Sequence, residues 1–338
     1  MRQVIIAGHG GPEQLTAREV ADPEPRAGQL RIRVRAAGVN FADVLTRQGL
    51  YPDAPKPPCV TGYEVSGVVD AAGPQAGTGW VGREVFAMTR FGGYADTVLV
   101  DADQVFGKPA SLSHEQAAAL PVNYLTAWQL LVVMGALSSD ETVLIHNAGG
   151  GVGLAAIDVA RHVGARILAT ASSGKHAFLR ERGADEVIDY RTGDWTREVR
   201  RLTDGRGVEL VTDPLGGAHW RRSWGVLRST GRLGMFGVST ASRTGLTGRL
   251  RLLTVGLGMP WFNPVTLMNQ NRSAFGVNLG HLWGETDKVR AWLQTILDGV
   301  GEGWVRPHVD RTFALDDAGA AHRYLEERRN LGKVVLNP

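Results

Sequence analysis

Cysteine is nearly missing from this chain: 338 residues carry a single one, Cys59. One thiol closes no internal disulfide and supplies no four-cysteine zinc lobe, so a secreted fold stapled by disulfides is excluded. Lysine is scarce too, confined to Lys56, Lys108, Lys175, Lys288 and Lys333, and arginine carries most of the positive charge. Neither sign dominates, with 37 basic and 34 acidic residues and a net charge of +3. Arginine-rich stretches such as 197–201 and 221–222 read as solvated helix faces, and no nucleic-acid partner is expected. Long apolar runs are absent. The longest, Leu252–Phe262, is short of a bilayer span and is broken by Gly256, Gly258 and Pro260. The opening residues, Met1-Arg2-Gln3-Val4-Ile5-Ile6, lack the apolar core of a secretion signal. A cytoplasmic chain without membrane contact is the expectation.

Glycine, by contrast, is abundant at 44 residues, and 43% of the chain is hydrophobic. That is enough apolar side chain to offset the ordering entropy of a large core, and the length suggests two domains. Over the first 110 residues the pattern is of short strands between Pro/Gly clusters. Residues 29–35 alternate apolar and polar side chains, and 65–69, 84–88 and 94–100 are further strands, which together predict a small β-barrel-like domain. The texture changes after Pro109. Ser113 and Gln116 have capping-box spacing, with Leu112 as a staple, and a second helix is predicted over 124–134. Strands at 142–146, 166–170, 186–190, 208–212 and 232–236 then alternate with helices at 152–163 and 175–182. This alternation predicts an α/β fold with a parallel sheet covered on both faces. A helix over 286–298 ends at Gly299 in this reading, and a last helix precedes a strand at 333–336. The closing elements match the style of the first domain. The expected boundaries are 1–122 with 281–338 for one domain and 123–280 for the other.

The stretch after the 142–146 strand reads Asn147-Ala148-Gly149-Gly150-Gly151-Val152-Gly153. Between a strand and a helix, such glycines let backbone approach a pyrophosphate, and the helix start offers unpaired N–H groups and partial positive charge. The alternative is a tight turn with no ligand. The next strand end selects the cofactor. A carboxylate there would accept hydrogen bonds from the ribose hydroxyls of NAD; this chain has Ser172, Ser173 and Lys175 instead, and Tyr190 ends the following strand. Hydroxyls and a cation suit the 2′-phosphate of NADPH. Lys175 also reads as an ordinary surface lysine, although a cation at a helix start opposes the helix dipole.

These residues bring the chain to a family. Ala36–Asp43, Gly62-Tyr63-Glu64, Asn123–Trp128, the glycine loop, Ala171–Lys175 and Asn330–Leu336 together resemble the zinc-independent quinone oxidoreductase branch of the medium-chain dehydrogenase/reductase superfamily. Asp213–Gly217 and Phe275–His281 are similar to its vesicle amine transport protein-like subgroup. The likeness spans nearly the whole chain. It implies a GroES-like catalytic domain built from both chain ends, a Rossmann domain for NADPH, a cleft between them, and a homodimer. It also implies that Asn40, Thr126 and Asn330 contact the nicotinamide end and that Tyr51 lines the substrate pocket. A turn residue is the alternative for Asn40, a helix hydroxyl for Thr126, and packing for Tyr51.

Zinc enzymes of the superfamily have a histidine where this chain has Tyr63. A phenol of pKa about 10 is a poor zinc ligand at neutral pH, so no metal is expected. Without a Lewis acid, hydride addition to a conjugated acceptor is easier than alcohol oxidation, because the developing charge is delocalised. Tyr63 is a candidate hydrogen-bond or proton donor, or a structural tyrosine. Cys59 reads as an inert buried thiol. The leading expectation is an NADPH-dependent reductase of quinones or α,β-unsaturated carbonyls. An enoyl-thioester reductase, or a low-turnover NADPH-binding protein acting through a partner or membrane, are the alternatives. Residues 246–271 stay open between lid, dimer surface, membrane-touching patch and plain core.

Overall fold

The computed structural model of the protein describes residues 1–242 and 254–338. It divides into two compact units. The first comprises Met1–Val122, Leu282–Leu297 and Pro307–Pro338; the second comprises Asn123–His281 and Asp298–Arg306.

The first unit is built on a seven-stranded sheet. In hydrogen-bonded order its strands are Val309–Ala314, Lys333–Asn337, Gln29–Val39, Glu64–Ala72, Glu84–Met88 and Val105–Gly107, with Thr97–Asp101 also paired to Gln29–Val39. The alternation read at 29–35 is realised: Leu30, Ile32 and Val34 point into the core, joined there by Val65, Val85, Val98 and Leu336. Gln29–Val39 runs well beyond the predicted strand. Register shifts at Arg31/Ile32 and Val34/Ala36 bend it, and those bends let one strand serve three partners. Ser113 caps the turn His114–Ala117 as the spacing predicts, its side chain accepting from Gln116 N at 3.2 Å.

In the second unit six strands form a wholly parallel sheet in the order Glu186–Asp189, Arg166–Ala171, Thr142–Ile145, Val208–Asp213, Leu227–Met235 and Ser273–Gly276. The order reverses direction beside Thr142–Ile145, which places the carboxyl ends of adjacent strands around a topological switch point. Its core joins Leu144, Leu168 and Val211 of the sheet to Trp195, Val199 and Val226.

Two expectations need correction. Residues 281–338 do not all join the first domain, because His281 and Asp298–Arg306 belong to the second unit. Buried Asp158 explains the return of 298–306. It accepts from Tyr124 Oη (2.6 Å), Arg182 Nη2 (2.6 Å), Arg306 N (3.2 Å) and Arg306 Nη2 (2.9 Å). Trp304 adds to this by stacking on His162, ring centroids 4.2 Å apart. The late helix also does not stop at Gly299; it spans Thr286–Glu302, and Gly303 takes the positive φ of 84°. Gly299 is needed for another reason, since a Cβ there would stand 2.3 Å from the Trp304 ring.

In the stretch that stayed open, 243–253, including Leu252 and Leu253, lies outside the described residues. Plain core fails for much of the rest: Leu257, Trp261, Val265 and Met268 are all exposed, Trp261 to 89%. Phe262 packs on Trp224.

Candidate functional site

Within the second unit, the glycine loop leads directly from the strand Thr142–Ile145 into the helix Gly151–Val163. The first helical hydrogen bond runs from Leu154 N to Gly150 O, so the N–H groups of Gly151, Val152 and Gly153 precede it. These donors, with the positive end of a thirteen-residue helix, suit a phosphate. The glycines also answer to packing. A Cβ on Gly151 would lie 2.6 Å from Asn123 Nδ2, one on Gly153 2.5 Å from Asn147 O, and one on Gly150 2.8 Å from Asn147 Nδ2. Asn123 entered the sequence analysis only as part of a family-like stretch, with no role of its own, and its nearness to Gly151 is a tertiary fact. Gly149 and Gly150 are buried in the same loop.

Strand register brings the cofactor-selecting residues together. Asp189 pairs with Ala171, so Tyr190 and Ser172 follow directly after paired positions on neighbouring strands. Ser173–Lys175 forms a single turn of 3₁₀ helix, closed by Lys175 N on Ser172 O at 2.9 Å. Ser173 is exposed, while Ser172, Lys175 and Tyr190 are half-buried. No carboxylate stands in this turn. Thr126, in the same unit, is buried on the helix Pro121–Trp128.

A different cluster occupies the first unit. Asn40 sits at the start of the helix Phe41–Gln48, and its amide faces inward. Asn40 Oδ1 accepts from Lys333 Nζ at 2.6 Å, and Asn40 Nδ2 donates to Glu64 Oε1 at 3.1 Å. Lys333 Nζ also pairs with Glu64 Oε1, and Glu64 Oε2 accepts from Val122 N at 2.8 Å. The amide orientation is therefore fixed by opposite charges on its two sides. Asn330, three residues before Lys333, donates through Nδ2 to Gly332 O at 2.9 Å.

Tyr51, Tyr63 and Phe91 form an aromatic group, with ring centroids 6.0 Å apart for the tyrosines and 5.3 Å for Tyr63 and Phe91. Tyr63 Oη lies 3.3 Å from Thr46 Oγ1. Burial, aided by the charge of Asp43, pushes the Tyr63 phenol far above its ordinary range. It is thus a hydrogen-bonding group and a very weak acid. Buried Asp43 holds this corner in place, accepting from Thr61 Oγ1 (2.5 Å), Gly62 N (2.9 Å) and Asn40 N (2.7 Å). Desolvation pushes its carboxyl up to about 6, against those hydrogen bonds. Cys59 is half-buried rather than fully buried, and burial raises its thiol pKa.

Lys333, Glu64 and Asp43 were not assigned roles in the sequence. Neither was a third cluster in the second unit, formed by His146, Asp213 and His219, whose ligand-type atoms all lie within 4.8 Å of one another. Among the described residues it is the one group of three His, Cys, Asp or Glu side chains with such spacing. Sixty-seven positions separate His146 from Asp213, so no short spacing announces it. His146 and Asp213 stand at or just past the ends of two predicted strands, but that those strands are neighbours, and that His219 on the next helix joins them, are tertiary facts.

Comparison with known proteins gives a consistent picture. Residues 26–110 match the alcohol dehydrogenase GroES-like domain, and residues 182–336 match the zinc-binding dehydrogenase family. The chain is 36% identical over 346 residues to the human synaptic vesicle membrane protein VAT-1 homolog, covering 100% of this chain and 86% of that protein. It is 33% identical over 341 residues to a quinone oxidoreductase of Pseudomonas aeruginosa, covering 100% and 99%. The crystal structure of Escherichia coli quinone oxidoreductase complexed with NADPH superposes with a TM-score of 0.87 at 29% identity, covering 100% of both chains.

Proposed function

This chain belongs to the medium-chain dehydrogenase/reductase superfamily, in the branch that holds VAT-1-like proteins and quinone oxidoreductases, and on that premise we propose that it is an NADPH-dependent reductase of quinones or α,β-unsaturated carbonyls that works without a catalytic metal. The observation that supports the cofactor assignment is the pairing of Asp189 with Ala171, after which Tyr190 and Ser172 leave neighbouring strands, with Ser173 and Lys175 and no carboxylate in the turn that follows Ser172. Hydroxyls and an ammonium fit a 2′-phosphate, which an Asp or Glu there would repel. The N–H groups of Gly151, Val152 and Gly153 would hold the pyrophosphate. When bound, the dihydronicotinamide supplies the hydride. Thr126, Asn40 and Asn330 are proposed to border it; the Asn40 amide, held by Lys333 and Glu64, would do so as a rigid wall rather than a mobile hydrogen-bonding arm.

Tyr51, Tyr63 and Phe91 give a flat conjugated acceptor aromatic surfaces to lie against, and Tyr63 Oη offers a donor for its carbonyl oxygen. The residues at this corner do not fit a catalytic zinc. Tyr63 stays a neutral phenol, and the Asn40 amide is occupied by Lys333 and Glu64. No step is therefore routed through a metal, and a quinone or enone, which delocalises the arriving charge, is the acceptor class that suits the site. A homodimer acting on a small molecule is part of the same reading. No helix among the described residues is long and apolar enough to cross a membrane.

The test is NADPH and NADH consumption across quinones, enones and enoyl-thioesters, repeated after a chelator. Chelator-resistant turnover with quinones or enones, faster with NADPH, is expected. Turnover confined to enoyl-thioesters would move the assignment to an enoyl-thioester reductase. Binding of NADPH with no oxidation by any acceptor would replace the enzyme by a cofactor-binding protein that acts through a partner.

A further inference from the structure

We propose that the second unit carries a divalent transition-metal site, with zinc as the fitting ion, formed by His146, Asp213 and His219 and distinct from the residues proposed to meet NADPH or acceptor. The three ligands come from separate places: His146 just past the strand Thr142–Ile145, Asp213 at the end of the strand Val208–Asp213, and His219 on the helix Ala218–Gly225. Their ligand atoms lie within 4.8 Å of one another, and His219 Nδ1 is 2.6 Å from Asp213 Oδ2. Two imidazoles and one carboxylate are a common zinc set that leaves a position open.

Two of the three ligands, His146 and Asp213, are oriented by a group behind them. His146 Nδ1 lies 2.9 Å from Thr170 Oγ1, leaving Nε2 turned toward the cluster. The Thr170 hydroxyl either donates or accepts, so His146 can present an unprotonated Nε2 by a change of tautomer with no movement of heavy atoms. Asp213 Oδ1 accepts from Leu215 N at 2.8 Å, which leaves Oδ2 for the cluster. Outer hydrogen bonds of this kind are what hold metal ligands in place. Ser223 Oγ, 3.2 Å from His146 Nε2 and 2.7 Å from Asp213 Oδ2, sits where a fourth ligand would be drawn from.

Charge favours a cation. Asp158 and Glu64 are buried carboxylates matched by Arg182 and Arg306 and by Lys333. Asp213 is equally buried, yet among the described residues its one ion-pair partner is His219. A buried carboxylate with no Lys or Arg paired to it lacks a permanent counter-charge, and a bound divalent ion would supply one. Arg222, the nearby guanidinium, is directed to Asp194 at 2.6 Å and lies over the Trp195 ring. His219, with 18% of its side chain exposed, provides the entry.

The experiment titrates chelator-treated full-length protein with zinc chloride by calorimetry and thermal unfolding, beside His219→Ala and Thr170→Val. Wild type should bind one zinc per chain and unfold at a higher temperature with it. His219→Ala should lose about a hundredfold in zinc affinity and Thr170→Val about tenfold, in the range for removing an outer partner. Cobalt added to wild type should give visible d–d absorption of a four- or five-coordinate ion, which keeps the proposal testable even where a variant fails to fold. Wild type that binds no zinc, or zinc binding unchanged in His219→Ala, would overturn the site, as would wild type lacking the cobalt absorption. Turnover with NADPH is read separately, so loss of this site and loss of the reductase assignment are told apart.

Discussion

Lys333 and Glu64 form an ion pair from which water is excluded on both sides, with 2% of one side chain and none of the other exposed. One comes from the last strand and the other from the strand Glu64–Ala72, some 269 positions apart. Removing one partner strands a buried charge, which costs about 3–5 kcal/mol. Lys333→Met should therefore lower the unfolding free energy by that order in a urea titration. Adding Glu64→Gln to it should restore a large part. A double variant no more stable than Lys333→Met would show that the loss came from packing and not from the stranded carboxylate.

Lys175→Glu places a negative charge in the turn that follows the strand Arg166–Ala171. Like charge near a 2′-phosphate disfavours the bound cofactor, whereas NADH has no phosphate there to repel. The KM for NADPH should rise about tenfold or more, equivalent to about 1.4 kcal/mol, with the KM for NADH changed by less than about twofold. Steady-state kinetics with both cofactors checks this; equal losses would remove Lys175 from the phosphate site.

Much of the second unit was legible because parallel strands leave continuous apolar runs and glycine punctuates strand-to-helix turns. Local signals reached as far as Ser113 and Gln116. They failed where tertiary contact decides. Gly299 reads as a helix stop, yet it is small to admit Trp304. Residues 298–306 read as part of the first domain, yet the buried carboxylate of Asp158 claims Arg306. In the candidate site, Asn40 and Tyr63 were visible through family resemblance. The groups that restrain them, Lys333, Glu64 and Asp43, are distant in sequence and carry no local pattern. His146, Asp213 and His219 went unseen because sheet order, which brings adjacent strand ends together, is not written in spacing.

Asp43 makes stability depend on pH in a definite direction. Its carboxyl is pushed up to about 6 in the folded chain from an ordinary 3.8. Between those values the folded state holds the extra proton, so this group's contribution is full below pH 3.8 and is lost as pH rises through 6. From pH 5 to pH 7 the wild type should lose about 1 kcal/mol relative to Asp43→Asn, whatever the offset between them. Urea midpoints for both proteins at several pH values give the measurement. Parallel pH curves would mean that the hydrogen bonds from Thr61, Gly62 and Asn40 outweigh desolvation.

Tyr63 separates two ways of helping a carbonyl accept hydride. A proton donor must ionise near working pH, and its pKa would appear in the rate profile. The half-buried phenol of Tyr63, close to the charge of Asp43, is pushed far above that range and remains neutral. Its contribution is then a hydrogen bond that strengthens as charge builds on the acceptor oxygen, while solvent supplies the proton. A hydrogen bond to a charged oxygen stabilises by about 1.5–3 kcal/mol, so Tyr63→Phe should lower kcat/KM by about 10- to 100-fold. The pH profile between 6 and 9 should keep its shape, because no titrating group has been removed. The Phe ring preserves the contacts with Tyr51 and Phe91, so the fold and the KM for NADPH should hold. A profile that loses an inflection in Tyr63→Phe would instead make this phenol the proton donor, and an unchanged kcat/KM would make it a packing residue.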